Sequence, residues 1–290
     1  MFLADGKHVV SGGAQGKIRR WCIENGKEVG MPKDAGNPVF NIAVSQDKKR
    51  VVSGTGSGRV AVWTVESYSL VKVIQLKAHD DCVQAVDVSP DGTKIATGSR
   101  DKTLCVWSLS TGRHLLGPLN HNAHVVAVKF SPNGRLIATA TYNRDVRVYD
   151  GLNGGLHGDF QIQVYSTSLA WASDSKQLFA LSRDGHVHCL DVFTGTTLLK
   201  WAIHSSDNAR CIALAGNDTF IAVSANSSVS FWDTATREQI GSVIEHTHDI
   251  WSMAISSNYD VVIAGHNRIT LRGLCHILPS RYFHHVCVSA

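Results

Sequence analysis

Several things are scarce in this chain of 290 residues, and each scarcity removes a class of protein. No run of 18 apolar residues occurs, which excludes a membrane-spanning helix. Only 6 prolines are present, so no proline-rich linker separates domains. Charged residues make up just 18% against 43% hydrophobic, a balance too apolar for a disordered chain. No stretch shows the 3.6-residue period of an amphipathic helix. The opening residues Met1-Phe-Leu-Ala-Asp-Gly6 turn polar at once and do not read as a signal peptide. Seven cysteines (Cys22, Cys82, Cys105, Cys189, Cys211, Cys275, Cys287) form no CxxC pair. An odd count without an export signal reads as reduced thiols in an intracellular protein, cytoplasmic or nuclear.

Motifs of catalysis are missing too. There is no GxSxG elbow and no HExxH pair. Gly54-Thr-Gly-Ser-Gly58 has the glycines of a phosphate loop, but no Lys-Ser/Thr follows and no helix pattern begins there. Among 15 histidines, His186/His188 and His246/His248 are i, i+2 pairs that share one side of a strand. No carboxylate cluster accompanies them. The expectation is no enzyme, no cofactor and no metal.

Charge is uneven. Residues 1–145 hold 19 Lys/Arg and 12 Asp/Glu, whereas residues 146–290 hold 9 and 12. The first half is therefore +7 and the second −3, within a total of +4. Short clusters such as Arg19-Arg20 and Lys48-Lys-Arg50 leave open an alternative reading, nucleic-acid or phospho-ligand binding through the basic N-terminal half.

What the chain does have is 25 glycines spread along its length and a repeat. Trp21, Trp63, Trp107 and Trp232 each end an alternating strand pattern, as in Thr103-Leu-Cys-Val-Trp107. Alignment on them places Tyr149, Leu190 and Arg272 at the same position, with spacings of 42, 44, 42, 41, 42 and 40. The clearest unit begins at His79. A strand Val83-Gln-Ala-Val-Asp-Val88 leads to the turn Ser89-Pro-Asp-Gly92, which has Pro and Gly where a type I turn favours them. The strand Lys94-Ile-Ala-Thr-Gly-Ser99 follows, then the tight turn Arg100-Asp-Lys102 and the Trp107 strand. Short strands at 8–12-residue intervals signal an all-β protein. Four such strands cannot bury two faces alone, so the units must stack on one another.

The order His…Ser-Pro-Asp-Gly…Gly-Ser-x-Asp…Trp resembles the WD-repeat β-propeller family, and the match runs the length of the chain. The resemblance implies an all-β, seven-bladed ring with four antiparallel strands per blade around a channel. The blades would cover approximately 1–31, 32–76, 77–119, 120–160, 161–203, 204–244 and 245–285. Phe2-Leu-Ala-Asp-Gly6 aligns with Val88-Ser-Pro-Asp-Gly92, so the first blade lacks its innermost strand. His285-Val-Cys-Val-Ser-Ala290 alternates as that strand would. Residues 286–290 are therefore expected beside 7–12, closing a monomeric ring with strands from both termini.

The family's His–Ser/Thr–Asp–Trp relay is complete here only in the third unit: His79, Thr97 or Ser99, Asp101 and Trp107. An indole N–H can only donate, so it needs an acceptor when buried. The resemblance also implies a non-enzymatic scaffold that takes a protein or peptide on the channel rim. Its rim positions fall on Phe40, Gln84, Arg100, Tyr142, Tyr165, Arg183, Arg210 and Trp251. Tyr, Trp and Arg dominate binding hot spots, and Arg can grip a carboxylate or phosphate. An acidic or phosphorylated partner is expected, and no membrane.

Overall fold

The computed structural model describes residues 1–66, 69–143, 145–161, 166–203, 208–215, 218–255, 260–265 and 268–273. Every regular element among them is a strand. The strands are β1 (His8–Gly12), β2 (Lys17–Cys22) and β3 (Lys33–Asp34), then β4 (Val39–Val44), β5 (Arg50–Thr55), β6 (Arg59–Val65) and β7 (Leu70–Lys77). Next come β8 (Val83–Val88), β9 (Lys94–Ser99), β10 (Thr103–Ser108) and β11 (His114–Asn120), followed by β12 (Val125–Phe130), β13 (Leu136–Thr141), β14 (Asp145–Asp150) and β15 (Leu156–Gln161). The rest are β16 (Ser166–Trp171), β17 (Gln177–Ser182), β18 (His186–Asp191), β19 (Thr196–Ala202), β20 (Ala209–Leu214), β21 (Phe220–Ala225), β22 (Ser228–Asp233), β23 (Gln239–Glu245), β24 (Ser252–Ile255), β25 (Asp260–Gly265) and β26 (Arg268–Gly273). Each sheet is antiparallel and pairs its strands in chain order.

Burial follows the patterning. Second strands are buried on both faces, β9 and β13 almost throughout, while the outer strands β7 and β19 are mostly exposed. This gradient is what radial stacking produces: each middle strand is covered by a neighbouring sheet on either side, and each outer strand faces water.

Seven four-stranded blades do not form, and that expectation is corrected. Among the described residues, a sheet with at least three strands of four or more residues occurs six times: β4–β7, β8–β11, β12–β15, β16–β19, β20–β23 and β24–β26. Their six inner strands β4, β8, β12, β16, β20 and β24 line the channel. The unit expected at 1–31 is instead the hairpin β1–β2 with the two-residue β3. It fills the gap between β24 and β4, with Phe2 and Val9 against Ala254 and with Val10 and Ile18 in one cluster with Val39 and Val51. Two local causes are visible. Where an inner strand would run, the described residues supply only a bridge from Phe2 to Val9. Where an outer strand would run, Gly26 and Gly30 sit at φ 65° and 74° and bend the chain, leaving a single Trp21–Glu28 bridge. The pairing expected between 286–290 and 7–12 lies outside the described residues.

Blades meet through a repeated small-to-large contact. A methyl added at Gly98 would stand 2.5 Å from Val125 Cγ1, and one at Gly54 2.6 Å from Val83 Cγ1; Gly12 faces Val39 in the same way. Further round, the register position of Gly98 is taken by Leu181, and the facing valine becomes Ala209. The larger side chain passes from the later blade to the earlier one, and the facing residue shrinks from valine to alanine, as a close-packed interior requires. Each buried valine contributes roughly 1.5–3 kcal/mol through the area it removes from water.

Candidate functional site

Polar burial inside a blade is seen best in β8–β11. Trp107 Nε1 donates to Thr97 Oγ1 at 2.9 Å. The Thr97 hydroxyl lies 2.7 Å from His79 Nε2, and His79 Nδ1 lies 2.9 Å from Asp101 Oδ2. Asp101 also accepts from the Thr103 hydroxyl at 2.6 Å and from the Asp80 amide at 3.1 Å. Burial lowers the His79 pKa despite the neighbouring carboxylate, so the ring stays neutral and passes one proton direction along the chain. Burial works to raise the Asp101 pKa, but the Thr103 hydroxyl and the backbone donors outweigh it and hold it below the usual value. Of the two hydroxyls left open by the sequence, Thr97 is the one between His79 and Trp107. Ser99 instead donates to the Asp81 carbonyl and accepts from the Asp101 amide.

Other blades keep the indole's acceptor without the relay. Trp21 donates to Ser11 and Trp63 to Ser53, each hydroxyl lying ten residues earlier. His121 bridges Thr139 and Tyr149, so a phenol stands in for the indole. In β20–β23 the residue ten before Trp232 is Ala222, and the indole donates to Ser230 instead. These groups satisfy buried polar atoms and lie inside blades.

The channel is different. It has a volume of about 540 Å³ and is walled by small residues including Ala85, Ala127, Ser168, Cys211 and Ser252. Five of its six inner strands carry a β-bulge at their second residue: the register skips from Val39 to Asn41, Val83 to Ala85, Val125 to Ala127, Ser166 to Ser168 and Ala209 to Cys211. A bulge leaves one residue unpaired and re-aims its side chain. The skipped residues include Phe40, Gln84 and Arg210, three of the expected rim positions. The residue before each turn is tied to the same end of the channel. Arg100 N donates to the Cys82 carbonyl and Tyr142 N to that of His124, both at 2.9 Å.

The rim residues group into cation–aromatic units. The Arg100 guanidinium lies 5.8 Å from the Phe40 ring, and the Gln84 amide oxygen accepts from Arg100 Nε at 2.8 Å and Nη2 at 3.1 Å. The Arg210 guanidinium stacks 3.9 Å from the Trp251 ring and reaches Asp249 at 3.5 Å. Tyr142 lies 6.4 Å from His124, centroid to centroid. Phe40, Tyr142 and Trp251 are 50%, 53% and 59% exposed, so these large rings face solvent rather than the core. Arg183 is exposed at the turn after β17. Tyr165 lies outside the described residues.

The remaining sequence candidates take structural places. Gly58 closes the turn after β5 so tightly that a Cβ would meet the His79 carbonyl, which accounts for the glycine-rich stretch by packing. His188 is buried, and burial followed by the Lys200 charge pulls its pKa down to about 4. Among the described residues no group of three or more His, Cys, Asp or Glu could hold a metal. Three features had no signal in the sequence: the Gln84–Arg100 bond, the Asp87–Lys129 pair at 3.1 Å that crosses between blades, and the Asp5–His8–Arg20 network. Each joins residues whose types alone do not mark them.

The fold and its repeated unit define a class, the WD-repeat β-propeller. Residues 70–108 and 114–150 match the family model "WD domain, G-beta repeat". It is similar to Actin-interacting protein 1 of Drosophila melanogaster, 26% identical over 273 residues, covering 91% of this chain and 45% of that protein. It is also similar to small ribosomal subunit protein RACK1y of Oryza sativa subsp. japonica, 34% identical over 121 residues, 39% of this chain and 35% of that protein. Kinesin-like protein KIF21A of Homo sapiens is 26% identical over 193 residues, 65% of this chain and 10% of that protein. The chain thus spans less than half the length of each of these relatives. No helix among the described residues is long and apolar enough to cross a membrane.

Proposed function

We propose that this chain is a non-enzymatic scaffold that holds a protein or peptide partner on the rim of the channel. The observation that supports the reading is the repeated bulge, which frees Phe40, Gln84 and Arg210 from the ladder on the channel lining they share with Trp251. Exposed aromatic rings with guanidinium groups stacked on them are the side chains that carry most interface energy. The names of two relatives, an actin-interacting protein and a ribosomal subunit protein, are consistent with a life in protein assemblies.

Nucleic-acid binding through the basic first half is the weaker reading. Lys17, Arg19 and Arg20 are already paired with Asp34, Glu28 and Asp5, so their charge is compensated within the molecule. The test is affinity capture from native lysate with wild type and a Trp251→Ala/Arg100→Ala double variant. Loss of specific partners by a variant that melts like wild type supports the rim. An unchanged partner list, or steeply salt-dependent retention of nucleic acid, counts against it.

A further inference from the structure

Arg100 and Arg210 differ in one respect that bears on what they bind. Arg210 has a carboxylate partner, Asp249. Arg100 is exposed, and the group that holds it is neutral: the Gln84 amide oxygen, which takes Nε and one hydrogen of Nη2. Phe40 lies against the guanidinium on the channel side. The Arg100 plane is thereby oriented while its charge is left uncancelled by that contact. With the Nε side occupied, the outward end of the fork, Nη1 and the second hydrogen of Nη2, faces away from Gln84. Two parallel N–H groups at guanidinium spacing match the two oxygens of one carboxylate.

The surroundings decide between a carboxylate and a phosphate. Asp80 and Asp81 are exposed on the segment leading to Cys82, whose carbonyl is bonded to the Arg100 amide. A phosphate carries nearly two charges, and a site for it gathers several cations. Here the rim offers one oriented guanidinium, and the segment bonded to its backbone carries two exposed acidic residues, which suits a monoanion. The adjoining wall, Phe40 with Ala85 and Ala127, offers apolar surface to a neighbouring side chain. We propose that Arg100, oriented by Gln84 and Phe40, is the anchor for a single Asp or Glu side chain, or a C-terminal carboxylate, of an extended partner segment with an apolar residue beside it. This rests on the rim reading above and deepens it.

The test uses the full chain, immobilised, and four pools of N-acetylated octapeptides. The pools are randomised except for a fixed central glutamate, glutamine or phosphoserine, with a fourth carrying a free C-terminal carboxylate and no internal acid. The glutamate or free-carboxylate pool should be retained about tenfold better than the glutamine pool, since a hydrogen bond to a charged group is worth that much or more. Arg100→Gln should erase the preference, Arg100→Lys should keep only part of it, and Gln84→Leu should reduce it by loosening the fork. Preference for the phosphoserine pool overturns the carboxylate assignment. Retention that is indifferent to charge and to Arg100→Gln, but lost in Trp251→Ala, overturns the Arg100 anchor and leaves the rim intact. Retention unaffected by any of these variants, or absent in wild type, overturns both. Because Arg100 is exposed at a turn, a melting curve superimposing on wild type checks that each variant is folded.

Discussion

Replacing Gly98 by alanine puts a methyl group where the next blade already stands. An ideal Cβ there would lie 2.5 Å from Val125 Cγ1 and 2.7 Å from Val128 Cγ2, far inside the ordinary carbon contact of about 3.5–4.0 Å. Both valines are fully buried, so neither has solvent to swing into. Overfilling such a core costs about 1–3 kcal/mol. The chain freedom that glycine loses on folding returns about 0.4–1 kcal/mol. The net expectation is a loss of about 1–2 kcal/mol. Val125→Ala alone removes two buried carbons and should cost about 2 kcal/mol. Combined, the two changes should not add. The methyl at position 98 enters the space left at 125, the arrangement already present where Leu181 packs in one cluster with Ala209. A favourable coupling of at least about 1 kcal/mol follows. Urea unfolding of the four proteins, followed by tryptophan fluorescence and far-UV circular dichroism with coincident transitions, measures it. Two results refute the reasoning: Gly98→Ala as stable as wild type, or a coupling within about 0.3 kcal/mol of zero.

Other outcomes follow from the same structure. Asp101→Ala removes the acceptor of His79 and of the Asp80 amide. Thr103 remains 2.9 Å from His79, so the loss should be modest, about 1–2 kcal/mol, and an unchanged midpoint would show that the relay is dispensable. His188, with its pKa pulled from 6.5 to about 4, binds its proton more readily unfolded than folded. Its contribution is intact above pH 6.5 and drains away as pH falls towards 4, by up to about 3 kcal/mol. His188→Leu should flatten the acid limb of the stability profile, and an acid limb identical to wild type would exclude His188 as its source. Burial pushes the Cys105 and Cys189 thiols up to about 11. Mass spectrometry should find both unmodified by iodoacetamide at pH 8 in the native protein and modified in denaturant. Modification at the same rate in both conditions would mean that they are not shielded.

Much of the fold was legible because the repeat imposes period-two patterning on strands that are buried from both sides. Val83–Val88, Lys94–Ser99 and the Trp107 strand fall where their alternation and turns put them. The relay was legible to the choice between two hydroxyls, which needed the register of β9 against β10. Residue 97 pairs with Cys105 and so comes within reach of both the indole and His79. The count of blades was not legible. Seven aligned positions from Trp21 to Arg272 promise seven units, but an aligned third strand does not guarantee the strands beside it. In residues 23–32 the apolar alternation is broken by Gly26 and Gly30, and among the described residues the first unit builds the hairpin β1–β2 with the two-residue β3. Nor could the sequence show that Leu181 and Ala209 exchange sizes relative to Gly98 and Val125, since that exchange exists only across the contact between blades.

The bulge at the head of the inner strands explains how varied side chains at the channel mouth and a close-packed ring can coexist in one short segment. In Val83-Gln84-Ala85-Val86, Val83 and Val86 are buried against Gly54 of the preceding blade, and their size is fixed by that contact. Gln84, left out of the ladder by the register skip, has no partner on β9 and projects to the channel mouth. The same division holds for Val39 and Phe40, and for Ala209 and Arg210. A side chain freed from pairing and packing can be large, aromatic or charged without straining the blade. Phe40, Gln84 and Arg210 differ in every chemical respect yet occupy one backbone position. Substitutions at the bulge should therefore alter the proposed partner binding while leaving stability within about 0.5 kcal/mol, whereas substitutions one residue earlier should do the reverse.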